Sequence, residues 1–112
     1  ESAIRDFTRT IDLNPNEERF YRYRALCRYN MVDYNGAYED YSRALELMSG
    51  ELSQMDEREK SRTKRILADT YIKRGAAAIQ DGNSFNACAD FRRAYELGSK
   101  LGLNYLRKYC GI

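Results

Sequence analysis

The sequence predicts an all-α protein of antiparallel helix-turn-helix repeats stacked side by side, and three observations carry that prediction. First, an eleven-residue phrase occurs three times, at residues 3–13, 37–47 and 87–97. Each copy opens on a small residue (Ala3, Ala37, Ala87), has an aromatic four on (Phe7, Tyr41, Phe91) and a second small residue three later (Thr10, Ala44, Ala94), and closes on Leu13, Leu47 or Leu97. Second, small and apolar side chains at i, i+1, i+4, i+7 and i+8 share one face of a helix of about 3.6 residues per turn, whereas a strand needs alternation. Third, Ala3 and Ala37 are 34 residues apart, the length of a two-helix unit.

Taken in order, residues 1–13 form a first helix, ended at Asn14-Pro15-Asn16, where proline cannot continue the hydrogen-bond ladder; Asn16 is expected to cap the next helix. Residues 17–31 carry Phe20, Tyr21, Tyr23, Ala25, Leu26, Cys27 and Tyr29, apolar over more than one face, as suits an inner helix that packs its neighbours and also presents a surface. Asp33-Tyr34-Asn35-Gly36 reads as a tight connection, and residues 34–47 complete one unit. The third phrase follows the second by 50 residues rather than 34, which leaves 16 extra. Met48-Ser49-Gly50 reads as a break and Ser53 with Asp56 as a capping box; acids then precede bases, so one helix is expected over residues 54–81, about 40 Å long. Its second half, Leu67 to Ile79, is the next inner helix. Its charged first half projects beyond the stack, either simply solvated or as a lever against another domain or subunit. Gly82-Asn83 ends it as a C-cap does, residues 84–97 form the third phrase's helix, and Gly98 and Gly102 flank a link to a capping helix from Asn104 to Cys110. The expected division is a single domain: 1–16 an incomplete repeat, 17–50 a complete one, 51–99 a repeat whose first helix is extended by the insertion, and 100–112 the cap. Asp6 with Arg9, Asp40 with Arg43 and Asp90 with Arg93 read as surface pairs on the outer faces.

The phrase and its period resemble the tetratricopeptide repeat family, whose signature is W-x2-L-G-x2-Y, then A-x3-F, then P. Ala3 with Phe7, Ala37 with Tyr41 and Ala87 with Phe91 meet the A-x3-F part, and Pro15 meets the proline. Tyr21 stands at the Trp position, Arg24-Ala25 at Leu-Gly and Arg28 at Tyr; the next unit has Tyr71, Arg74-Gly75 and Ala78. The resemblance implies a right-handed superhelix of about two and a half repeats, whose inner helices line a concave groove for peptides or partner proteins. Carried over residue by residue, that groove shows Arg19, Arg22, Tyr23, Leu26, Tyr29 and Asn30, and on the long helix Asp69, Ile72, Lys73, Ala76, Ile79 and Gln80. Arg19, Arg22 and Lys73 suit an acidic side chain or a C-terminal carboxylate. Members that hold chaperone C-termini use a Lys, Asn and Arg set; Leu26 stands here where an Asn is needed, so that function is not implied. The alternative to recruitment is an assembly element, in which the first helix and the charged projection pack on the parent protein or on another copy.

Composition excludes much else. Charged residues make up 32% and hydrophobic ones 43%, and no run approaches the ~20 apolar residues that span a bilayer. A net charge of +2, evenly mixed, does not call for nucleic acid, and no base-reading side-chain code is visible. There is no histidine, so nucleophiles lack their commonest base, no metal-ligand spacing forms around Cys27, Cys88 and Cys110, and neither enzyme activity, a cofactor nor a metal is expected. Cys88 and Cys110 can meet only if the last helix folds back on the third phrase; free buried thiols are the favoured expectation, and the pairing is left open, since a disulfide would need an oxidising compartment. Without an initiator Met, and opening on a second-type helix, the chain is expected to be a C-terminal piece of a longer protein. A soluble, cytoplasmic location is only slightly favoured.

Overall fold

The computed structural model describes residues 2–112; Glu1, the first residue of the expected opening helix, lies outside them. Six α-helices and one 3-10 turn follow in order among the described residues: α1 (Ser2–Leu13), α2 (Glu18–Asn30), α3 (Tyr34–Glu51), the turn Leu52–Gln54, α4 (Glu57–Gln80), α5 (Ser84–Glu96) and α6 (Lys100–Tyr109). Each helix packs on the next, which makes a slab 42 × 37 × 16 Å across the Cα atoms, fitting an all-α repeat superhelix two helices thick.

The phrase forms the seam of every pair. Ala37, Tyr41 and Ala44, and in the next unit Ala87, Phe91 and Ala94, are all buried. Small residues let the helices approach, and the aromatic fills the space that they leave: a Cβ on Gly75 would stand 2.6 Å from the Phe91 ring, so α4 has glycine where the ring presses on it. Tyr41 packs in the same way with Ala25 and Ala77.

The three connections after α2, α4 and α5 share one chemistry. Val32, Gly82 and Gly98 take left-handed φ angles of 66°, 80° and 101°, and the residue after each caps a helix: Asp33 accepts from the Gly36 N–H, Asn83 from that of Asn86 and Ser99 from that of Gly102. The N–H groups of Asp33, Asn83 and Ser99 also close back onto the carbonyls of Arg28, Ala78 and Ala94, which satisfies the end of the preceding helix. The α2–α3 turn is therefore Met31-Val32-Asp33, and Tyr34-Asn35-Gly36, expected in the connection, opens α3. In the same way α6 begins at Lys100 rather than Asn104, and Gly102 lies inside it, where a Cβ would stand 2.8 Å from the Phe91 carbonyl oxygen. Asn16 does not cap α2, whose N-cap is Glu17 without a side-chain bond.

The insertion folds differently from the single long helix expected over residues 54–81. α3 runs on through Gly50 to Glu51, because Met48 is buried and carries its apolar face onward, and Asp56, not Ser53, caps α4 by accepting from the Glu59 N–H at 2.8 Å. The added length is shared: α4 has 24 residues against 13 in α2, and α3 has 18 against 13 in α5. Nor does the inserted part stand wholly apart. Met55, Thr63 and Ile66 close a small cleft with Asn16, Glu17, Glu18 and Met48.

At the other end, α6 lies over α5 with Leu106 buried on Phe91, and Tyr105 and Tyr109 stack on that ring at 5.0 and 6.0 Å. This brings the Cα atoms of Cys88 and Cys110 to 5.9 Å, and the two form a disulfide rather than the free thiols expected; Cys27 is free. No described helix is long and apolar enough to cross a membrane.

Candidate functional site

A pair of buried ionic latches sets the inner helices against the outer ones. Arg24 grips Asp40 through Nε and Nη2, both at 2.8 Å, while its Nη1 reaches Thr8 Oγ1 at 3.1 Å on the preceding unit. Arg74 does the same to Asp90 at 2.9 and 2.6 Å, with Nη1 at 3.0 Å from Ser42 Oγ. Arginine and aspartate are 16 residues apart in both units, and each guanidinium ties three helices together. Asp40 and Asp90, expected on the solvated face, are therefore only 4% and 3% exposed, and Arg43 and Arg93 pair with Glu46 and Glu96 instead. Arg28 gives Asp40 a second guanidinium at 3.0 Å. The bond to Asp40 raises Arg24 above the ordinary arginine range; burial opposes the charge of Arg74, and its hydrogen bond and charge attraction to Asp90, with Tyr38 and Tyr71, together outweigh it. Burial pushes the Asp90 carboxyl up against the pull of Arg74. Tyr38 and Tyr71 flank the Arg74 guanidinium, with ring centroids at 4.8 and 5.7 Å.

Held in this way, α2 and α4 present their other faces side by side. On α2, Arg19, Tyr23, Leu26 and Asn30 are exposed, Arg22 is partly buried, and Tyr29 sets its ring edge-on to Tyr34 at 5.1 Å. On α4, Asp69, Lys73 and Gln80 are exposed and Ala76 half-buried, but Ile72, at 5% exposure, belongs to the core with Phe91 and Leu106, and Ile79 packs against the same core. Burial raises the Tyr29 phenol, with smaller raises from Tyr34, Tyr105 and Tyr109 and a lowering by Gln80. Beneath them burial pushes the Tyr41 phenol up to about 12, with lesser raises from Asp69 and Tyr29 and an opposing pull from Arg22.

The three cations expected to await a carboxylate already hold one. Arg19 pairs with Glu17 at 3.2 Å, Arg22 with Glu18 and Lys73 with Asp69 at 3.1 Å. A partner's carboxylate would have to displace an acid from the same helix or its N-cap.

The capping helix α6 was expected, but not its reach onto this face. Its early start puts Leu101 beside Arg65, Ala68, Asp69, Ile72 and Leu97, around a cleft of about 310 Å³. The signal was present in Gly98-Ser99, which repeats the turn-and-cap chemistry of Gly82-Asn83. Among the described residues no group of three His, Cys, Asp or Glu could hold a metal ion.

No family model matches the chain. It is similar to a Bos taurus protein, tetratricopeptide repeat protein 36, with 35% identity over 98 residues, 88% of this chain and 46% of that protein. The Homo sapiens protein of the same name is 34% identical over the same share of each. The chain thus spans about half the length of these curated relatives. Among solved structures, the N-terminal domain of stress-induced protein-1 from C. elegans superposes with a TM-score of 0.74 over 92% of this chain and 75% of that one; at 15% identity the likeness is one of fold.

Proposed function

Given that the chain belongs to the tetratricopeptide repeat family, a class of protein–protein interaction modules, we propose that it is a non-catalytic module that holds a peptide or partner protein in the concave groove of α2, α4 and α6. The observation that carries this reading is the exposure of two large groups on an inner helix. Tyr23 is 43% and Leu26 45% exposed, although Ala25 between them is fully buried. Aromatic side chains standing in a groove beside polar ends are the usual anchors of an interface. Asn30, Lys73, Ala76 and Gln80 supply its rim, and Arg19, Arg22 and Asp69 its paired charges.

The test is differential capture from a lysate of the source cells by the wild-type chain and by a Tyr23→Ala, Leu26→Glu variant. Both positions are exposed, so the variant should melt with the wild type. Loss of a specific protein from the variant lane supports recruitment through the groove; equal retention in both lanes overturns it. One observation favours an assembly role as the second reading: α1 packs chiefly on α2 and leaves Leu13 76% exposed. Sedimentation would then show a mass that rises with concentration and is indifferent to the groove variant.

A further inference from the structure

The N-terminal half of α4, added by the insertion, has no counterpart in the shorter α2. Between residues 57 and 65 it holds five bases (Arg58, Lys60, Arg62, Lys64, Arg65) against two acids (Glu57, Glu59). Arg58, Arg62 and Arg65 stand at i, i+4 and i+7, so they form one stripe. All three are exposed, and none is ion-paired among the described residues, in contrast to Arg19, Arg22 and Lys73 in the groove. The stripe runs into the cleft at Arg65, which lines it together with the apolar Ala68, Ile72, Leu97 and Leu101.

We propose that an acidic segment of a partner protein lies extended along Arg58, Arg62 and Arg65 and places one apolar side chain in the cleft between α4 and α6. This rests on the reading of the chain as a protein-binding module. Spacing supports it: along the helix Arg58 and Arg62 stand about 6 Å apart and Arg62 and Arg65 about 4.5 Å, against ~6.6 Å between alternate side chains of an extended strand, and the long arginine side chains span the difference, so carboxylates on one edge of the peptide meet successive guanidiniums. Each such pair can be bidentate. A peptide is favoured over a nucleic acid because Asp69 lies where the stripe continues and would face the next phosphate, and because the cleft wall is aliphatic with no ring on which a base can stack.

The probe is a fluorescein-labelled peptide of alternating Glu and Ser ending in Leu-Leu, with a Gln-for-Glu peptide, a single-stranded DNA and anionic phosphatidylserine vesicles alongside. The whole chain is titrated at low and at physiological salt. A triple Arg58→Glu, Arg62→Glu, Arg65→Glu variant is compared with an Arg92→Glu, Arg107→Glu control, which removes exposed cations elsewhere, and unchanged melting checks the fold of both. The expected result is at least tenfold weaker binding of the Glu peptide by the triple variant, little change in the control, and weakening with salt. Absence of Glu-peptide binding by the wild type, equal loss in the control, or tighter binding of DNA or vesicles overturns the proposal. If the natural partner is still captured by the triple variant and lost in Tyr23→Ala, Leu26→Glu, the stripe fails while the module reading stands.

Discussion

The helix pairs α2–α3 and α4–α5 are built to one plan and filled with different side chains. Both have an arginine gripping an aspartate 16 residues on, a left-handed residue at the turn and an Asp or Asn cap after it. Yet Asp40 has two guanidiniums and Asp90 one, the left-handed residue is Val32 in one pair and Gly82 in the other, and the seam aromatic is Tyr41 in one and Phe91 in the other. What is kept is the latch and the approach distance of the helices; the rest is interchangeable at a cost that can be measured.

The largest expected effect comes from the latch. Arg74→Ala strands Asp90 without a cation and should cost about 3–5 kcal/mol, the range for breaking a buried pair from one side. Arg24→Ala should cost roughly half as much, because Arg28 remains on Asp40 at 3.0 Å. Urea midpoints of the two variants measure the difference, and equal losses would show that Arg28 is no substitute. The turn comes next. A β-branched side chain at positive φ carries about 1–2 kcal/mol of strain, so Val32→Gly should stabilise the protein by about 1 kcal/mol and Gly82→Val should destabilise it at least as much, read as opposite shifts in Tm.

The seam comes last, because its effect is confined to alkali. The Tyr41 phenol is raised from 10.0 to about 12 in the folded protein, so the folded state keeps a proton that the unfolded state releases. Its contribution is complete below pH 10 and is lost as pH rises through 12. Tyr41→Phe should therefore lose stability less steeply than the wild type between pH 10 and 12, and Phe91→Tyr more steeply, in denaturant titrations at fixed temperature.

How much of this was legible follows from what each residue looks like in isolation. The seam was plain in the sequence, since Ala37, Tyr41 and Ala44 recur at helical spacing and need no distant partner to be recognised. Asp40 was not, because a carboxylate three residues before Arg43 looks like half of a surface pair, and its true partner lies a helix away. The available signal was Arg24 and Arg74, both standing where the family pattern has an apolar residue, each with an aspartate at the same place in the following phrase. Gly50 misled for a related reason: a glycine costs a helix only about 1 kcal/mol, less than the burial of Met48 and the packing of Leu52 return. Of the residues expected to line a groove, Tyr23, Leu26 and Gln80 are exposed, whereas Ile72 is drawn into the core by Phe91 and Leu106, which only the placement of α6 reveals.

The Cys88–Cys110 bond also decides how the domain carries load. A pull applied at Ile112 does not peel α6 off residue by residue, since the force enters at Cys110 and crosses a covalent link to Cys88, near the start of α5. The ten residues of α6 are left slack, and tension falls instead on the contact between α5 and α4, where Arg74 clasps Asp90. With the link reduced, the same pull would unzip α6 first, so the thiol state of two residues selects which interface of the stack yields.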